Sequence, residues 1–291
     1  FFFFFSLQSL CQAGECPICK GSPGTPRHAT VNHQRQIPPA EGTGAIAVTS
    51  LSLYRFASPG ARVWAFAQMG LARSALARAP GIGFRKLLGS GVGEGFTPRP
   101  NWAVWAILAE WPDVERAREA TRHDRPLSAW RARAEESCHL FLAPLTRRGR
   151  WSGAAPFDPG PLAPQAAPAT PPGPIAALTR ATLRPAALLR FWGREPAISA
   201  AIGANPDVLL KIGLGETPWL QQVTFSVWPD ATAMDRFARA GPHAGAIAAA
   251  RRNGWFAEEL YARFAVIGRS GAWEGRDPLP GAPAALEGET P

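Results

Sequence analysis

The chain contains the same strand, stop and helix twice. VTFSVWPDATAMDRFA (223–238) alternates apolar residues, halts at Trp-Pro-Asp and turns helical, and AILAEWPDVERAREA (106–120) does the same 117 residues earlier. Three further matches keep the order: Gly91-Val92-Gly93-Glu94 with Gly213-Leu214-Gly215-Glu216, Glu135-Glu136 with Glu258-Glu259, and RRGRWSG (147–153) with RSGAWEG (269–275) as R-x-G-x-W-x-G. Four matches in one order imply an internal duplication, which limits this chain to folds made of two like units.

Each half carries one series of elements. In the first, VTSLSLYRF (48–56) alternates as a strand, and a helix over 59–78 starts at Pro59 with Val63, Phe66, Ala67 and Gly70 on one face. Strands at 84–91 and 101–111 flank the connection GEGFTPRP, Asp113 caps the next helix, a helical piece covers 127–136, and SCHLFLAPL closes the half. The second half answers with IAALTRATL, a helix over 185–203, VLLKIGLG, QQVTFSVW, a helix from Asp230, another from His243, and ELYARFAVIG.

The order β-α-β-β-α-β, written twice, predicts an α+β fold: two ferredoxin-like units whose sheets pack as a dimeric α/β-barrel within one chain. In each Trp-Pro-Asp the Pro stops the strand ladder and the Asp caps a helix, so the motif is architectural. The expected boundaries are an unstructured extension over 1–45, a first repeat over 46–155, a Pro-rich linker over 156–174, a second repeat over 175–279 and a tail over 280–291. The extension opens FFFFFSLQSL and reads as upstream sequence from a misplaced start. A zinc site from Cys16, Cys19, His28 and His33 is the competing reading, but its Cys-to-His spacing is short for a finger.

The net charge is +9, carried almost wholly by Arg, since Lys20, Lys86 and Lys211 are the only lysines. The Arg residues are scattered, which argues against nucleic acid; a basic surface suits an anionic membrane or an acidic protein. No stretch approaches the ~20 apolar residues of a membrane-spanning helix. Four cysteines, three of them crowded near the N-terminus, make no disulfide framework and point to a reducing, cytoplasmic setting.

No nucleophile motif for Ser/His/Asp catalysis and no distinctive carboxylate pair is present. LGSGVGEG (88–95) has the glycines of a phosphate loop but leads to a strand, so it reads as a strand connection. It is longer than its counterpart GLGETPWLQ, and such an insertion is a reasonable place for function. Of the three core histidines, His123 lies in a polar turn and His139 on a strand. His243 begins PHAGAIAAARR and shares a helical stripe with Ile247 and Arg251; Ala244, Gly245, Ala246 and Ala248 around it would let a flat ligand approach. A structural role for His243 stays open, but were haem bound it would be the best axial ligand in the chain. The chain holds 11 Trp. Trp102, Trp105, Trp192, Trp219, Trp255, Phe96, Phe191, Phe225 and Phe256 lie on or beside the expected elements, as core or as the lining of a large apolar pocket.

The segments GFTPRPNWAVWAILAEWPD, RFWGREPAISAAIG, KIGLGETPWLQQVTFSVWPD, GPHAGAI and NGWFAEELYARFAVIG resemble, in order, the spheroidene monooxygenase family of carotenoid 2-ketolases from purple photosynthetic bacteria, over about residues 47–279. The resemblance implies an O2-dependent monooxygenase that hydroxylates and then oxidises C-2 of acyclic carotenoids to a ketone. It implies haem as cofactor and reduced ferredoxin as electron donor, in a protein that is cytoplasmic or peripheral to the inner membrane. It assigns His243, in the GPH motif, to the iron. Arg194 and Lys211 are candidates for the haem propionates by motif position. Two alternatives stand beside it: a cofactor-independent monooxygenase of the same fold group, and a non-enzymatic carotenoid or haem carrier.

Overall fold

Alternation sets the inside and outside of the protein. In β1 (Val48–Arg55) Leu51 and Leu53 point to one core, while Val48 and Tyr54 point to another. Seven more strands follow: β2 (Arg85–Gly91), β3 (Pro100–Trp111), β4 (Glu136–Gly149), β5 (Ile175–Leu183), β6 (Leu210–Gly215), β7 (Gln221–Trp228) and β8 (Phe256–Gly271). In the computed structural model, which describes residues 47–93, 97, 99–160, 173–193, 205–239, 250 and 252–280, they close into an antiparallel barrel. The ring runs β1-β3-β2-β6-β7-β5-β8-β4 and returns to β1. Closure leaves no strand edge unpaired. Of the two joints between the halves, β4–β8 pairs along most of both strands, whereas β2–β6 holds by Gly89↔Gly215 and Ser90↔Leu214.

All eight strands send side chains to one apolar interior, among them Leu51, Leu88, Leu140, Leu178, Phe225 and Phe264. The R-x-G-x-W-x-G segments are the hairpins over its two mouths. Gly149 (φ +96°) and Gly271 (φ +79°) leave β4 and β8 where a Cβ would sit 2.1 Å from the carbonyl oxygen of Glu259 and Ser137, respectively. Only glycine fits there. Trp151 and Trp273 then fold back onto the interior. The Glu258 carboxylate accepts the N–H groups of Ser152 and Gly153 (2.9 and 2.8 Å), and Glu136 accepts that of Gly275 (2.7 Å). Phe157 and Leu279 follow and are fully buried in the same core. The start of the Pro-rich segment is therefore part of the barrel's packing; residues 161–172 of it lie outside the described residues.

Helices cover the outside of the first half. α1 (Pro59–Ala77) begins with Pro after Ser58, whose hydroxyl accepts the N–H of Ala61 (3.2 Å). Its buried stripe is Ala65, Met69, Ala72 and Leu76, not the Val63 face expected from the sequence; Val63 is 70% exposed. Two of the four are alanines, which let the helix approach the sheet. α2 (Val114–His123) is capped by Asp113 accepting from Arg116 N–H (2.8 Å). α3 (Leu127–Arg131) is shorter than the expected 127–136, because the N–H of Glu135 already bonds to Arg55 of β1. In the second half a 3-10 turn (Pro185–Ala187) leads into α4 (Leu188–Trp192), and α5 (Ala231–Arg239) is capped by Asp230 accepting from Ala233 N–H (2.8 Å). The remainder of the expected 185–203 helix, the helix from His243, and residues 1–46 with Cys16, Cys19, His28 and His33 lie outside the described residues.

Candidate functional site

The strand register lets the two halves be compared row by row across their outer faces. With Trp111 set against Trp228, Lys86 pairs with Leu108 as Ile212 does with Phe225. Gly89 thus corresponds to Gly215, and the apparent match of Gly91-Val92-Gly93-Glu94 to Gly213-Leu214-Gly215-Glu216 is four residues out of register. In the first half one outer row reads Leu87–Ile107–Ser52–His139, and the next Gly89–Trp105–Tyr54–Ser137. Beneath α1, α2 and α3 these rows are sealed: Ser52, Tyr54 and Ile107 are inaccessible.

The corresponding rows of the second half read Gly213–Thr224–Thr179–Tyr261 and, from β7 to β8, Gln222–Ala181–Glu259. A third row is Lys211–Ser226–Ala177–Arg263. Thr224, Ala181 and Gln222 replace Ile107, Tyr54 and Trp105, and Ala177, Thr179, Ala181, Thr224 and Tyr261 are all only half-buried. Apolar clusters stand at either end of this floor. One joins Ile175, Trp228, Ala233 and Met234; the other joins Ala187, Ala250 and Trp255 with Phe191 and Phe256 against it. This floor lies between two apolar clusters that both contain aromatic side chains.

The barrel mouths differ as well. At one, Lys86 Nζ donates to Glu216 Oε1 (2.6 Å) and Ser152 Oγ (3.0 Å), while Trp151 Nε1 donates to Glu216 Oε2 (2.6 Å). Arg180, buried inside the barrel, pairs with Glu258 and lies 5.7 Å from the Trp151 ring. Burial lowers the Lys86 pKa, an effect that the Glu216 charge partly offsets. Burial also pushes Glu258 up, but the amides of Gly153 and Ser152 and the Arg180 charge outweigh it and hold the carboxyl below its ordinary value. This network seals the mouth. At the other mouth Leu53, Ser90 and Ile212 hold the corresponding positions, and a cavity of about 390 Å3 opens with Arg55, Asn101, Lys211, Glu274, Arg276 and Asp277 in its wall. Its polar wall suits water or a polar group rather than a hydrocarbon chain.

The expected site residues fall as follows. Lys211 is half-buried on the outer side of β6 by strand parity and contributes to the mouth cavity. His243 and Arg194 lie outside the described residues, as does Phe96. His139 is 4% exposed, with Nδ1 2.8 Å from Ser52 Oγ and the Tyr54 ring across it. Burial, reinforced by the Arg131 charge, pushes its pKa down to about 4, so it packs as a neutral core residue. His123 is exposed at the end of α2. Among the described residues no group of His, Cys, Asp and Glu converges as metal ligands. LGSGVG (88–93) runs from β2 towards β3, with Val92 N–H bonded to the Arg99 carbonyl (2.9 Å), which makes it a strand connection; Glu94 and Gly95 lie outside the described residues. The aromatics divide: Trp105, Phe225 and Trp255 are buried, whereas Trp102 and Trp219 are exposed. The small-residue floor was missed from sequence; strand parity applied to IAALTRATL could have found it.

No family model matches the sequence. Curated proteins do. Spheroidene monooxygenase of Rhodobacter capsulatus is 48% identical over 244 residues, covering 84% of this chain and 99% of that protein. The chain belongs to the spheroidene monooxygenase family. The Cereibacter sphaeroides member is 48% identical over 83% of this chain and 74% of its own length, and the Rubrivivax gelatinosus member is 33% identical over 75% and 82%. Solved structures resemble this spheroidene monooxygenase relative more distantly. An aldoxime dehydratase covers 76% of this chain and 81% of its own at 11% identity (TM-score 0.49), and a monooxygenase-like protein from Listeria innocua covers 74% and 94% at 10% (TM-score 0.26).

Proposed function

We propose that this protein is an O2-dependent monooxygenase of carotenoid biosynthesis that hydroxylates and then oxidises C-2 of an acyclic carotenoid such as spheroidene to the 2-ketone. The observation that carries the reading is 48% identity to spheroidene monooxygenase across 99% of the Rhodobacter capsulatus protein. Reduced ferredoxin is the proposed electron donor, and the basic charge of +9 suits an acidic partner.

The proposed cofactor is haem on the small-residue floor of the second half. Bound haem iron supplies the oxidising power that an unactivated C–H bond requires and no side chain has. In support, Ala181 and Thr224 stand in the register positions that Tyr54 and Ile107 fill in the first half. His243 is the proposed axial ligand. The segment carrying it leaves α5, which packs by Met234 at one end of the floor, and ends at Ala250, which packs at the other. Arg194 and Lys211 are proposed for the propionates, Lys211 from the row beside Ser226.

We also infer that the halves descend from one ferredoxin-like unit and form a dimeric α/β-barrel. In support, the ring can be read as β4-β1-β3-β2 followed by β6-β7-β5-β8, the same strand order reversed about the joint. Gly149 and Gly271, Trp151 and Trp273, and Phe157 and Leu279 serve the two hairpins alike.

The test is co-expression in a host that makes spheroidene, with pigment mass spectra for the wild type and His243→Ala. A product that gains an oxygen and loses two hydrogens, absent in the variant, is expected. The same product in both keeps the enzyme and removes His243 as ligand. No new pigment, with haem and ferredoxin supplied, favours a carrier.

A further inference from the structure

Among the described residues no helix is long and apolar enough to cross a membrane, yet the second half carries an exposed apolar patch. Leu189 is 90% exposed on α4, and Trp192 follows it one helical turn later on the same side. Trp219, 48% exposed and held at φ +70°, stacks edge-on with Trp192 at 6.1 Å. Its carbonyl accepts the Trp192 indole N–H (3.2 Å), so the two rings are fixed rather than loose. A non-glycine residue at that φ costs energy, which makes this exposure a built feature.

Cations neighbour the patch in the chain. Arg190 lies within α4, Arg184 just before it, and Arg252 follows Ala250, which packs with Ala187 under the patch. All three are exposed, and among the described residues none has a carboxylate partner. Arg236 and Arg263, by contrast, pair with Asp207 and Asp235. Tryptophan and leucine beside unpaired Arg match the interface of an anionic bilayer, where indoles sit at headgroup depth and Arg meets phosphate.

We propose that Leu189, Trp192 and Trp219, with Arg184, Arg190 and Arg252, dock the second half on an anionic phospholipid surface. The docking rests on the carotenoid reading for its purpose: a polyene dissolved in the bilayer would reach the floor between β5 and β8 without crossing water. The patch adjoins the Ala187–Trp255 cluster at one end of that floor.

The test is flotation of the purified full chain with vesicles of phosphatidylcholine, alone or with phosphatidylglycerol. The wild type is expected to float with the anionic vesicles and to be released by salt. Arg190→Gln weakens partition about fivefold, the share of one cation near an anionic surface. Leu189→Glu abolishes it, and Val63→Ser/Leu71→Ser, which removes exposed apolar surface on α1, leaves it unchanged. Failure of the wild type to float, or equal loss in the α1 variant, overturns the proposal. Turnover completes the test: Leu189→Glu should lose activity on carotenoid in vesicles and keep it on carotenoid in detergent. Equal activity on both overturns docking as the delivery route. Flotation intact with no product in either form removes the carotenoid reading and leaves the docking.

Discussion

Gly149 and Gly271 show how one residue can carry a joint. Each combines a positive φ with a backbone oxygen 2.1 Å from where a Cβ would be. Gly271→Ala should cost about 3 kcal/mol or more in denaturant unfolding, because strain and collision add. Gly254 has φ +57° with open space around it, so Gly254→Ala should cost only about 1 kcal/mol. Equal losses would mean the collision is relieved by small shifts. His139 gives a pH dependence. Its folded pKa, about 4, lies below the unfolded value of about 6.5. Below pH 6.5 the unfolded chain takes a proton that the folded one refuses. Stability is therefore full above that pH and declines as pH falls towards 4, by about 3 kcal/mol in all. His139→Gln should flatten the profile between pH 6.5 and 5, above the range where Glu258, Glu136 and Asp277 protonate; an unchanged slope would show that another group is responsible.

Helix starts were the most legible elements. Asp113 and Asp230 were read as caps from Trp-Pro-Asp, and each accepts the amide three residues on at 2.8 Å. A cap is a contact within four residues, so the local sequence contains all of it. Asp113→Ala and Asp230→Ala should each cost about 1 kcal/mol, additively in the double variant because the sites share no partner. A markedly larger loss for one would mean it does more than cap. Other features of the elements were not legible. The α1 stripe was assigned to Val63, Phe66, Ala67 and Gly70, whereas the sheet takes Ala65, Met69, Ala72 and Leu76. The match of Gly91–Glu94 to Gly213–Glu216 lies four residues from the equivalence that strand pairing gives, because two glycine-rich strings look alike at several offsets.

The whole molecule depends on closure. Each half offers the other an inner face of Leu, Val and Phe and a hairpin whose amides need the other half's Glu136 or Glu258. Residues 46–160 expressed alone should not yield a stable monomer. Size exclusion should show aggregates or self-paired dimers, since the inner face and the edges of β2 and β4 would be bare. A folded monomer would show that the halves are independent domains. Strand alternation, helix caps and the paired motifs were readable from the chain alone, because each is a contact between near neighbours or a period of two. The rest required the closed barrel. Lys86 meets Glu216 only when strands of both halves turn side chains to one mouth. The outer faces of the two halves use the same strand pattern. They differ in side-chain volume across four strands brought together by pairing, and no single segment of sequence carries that sum.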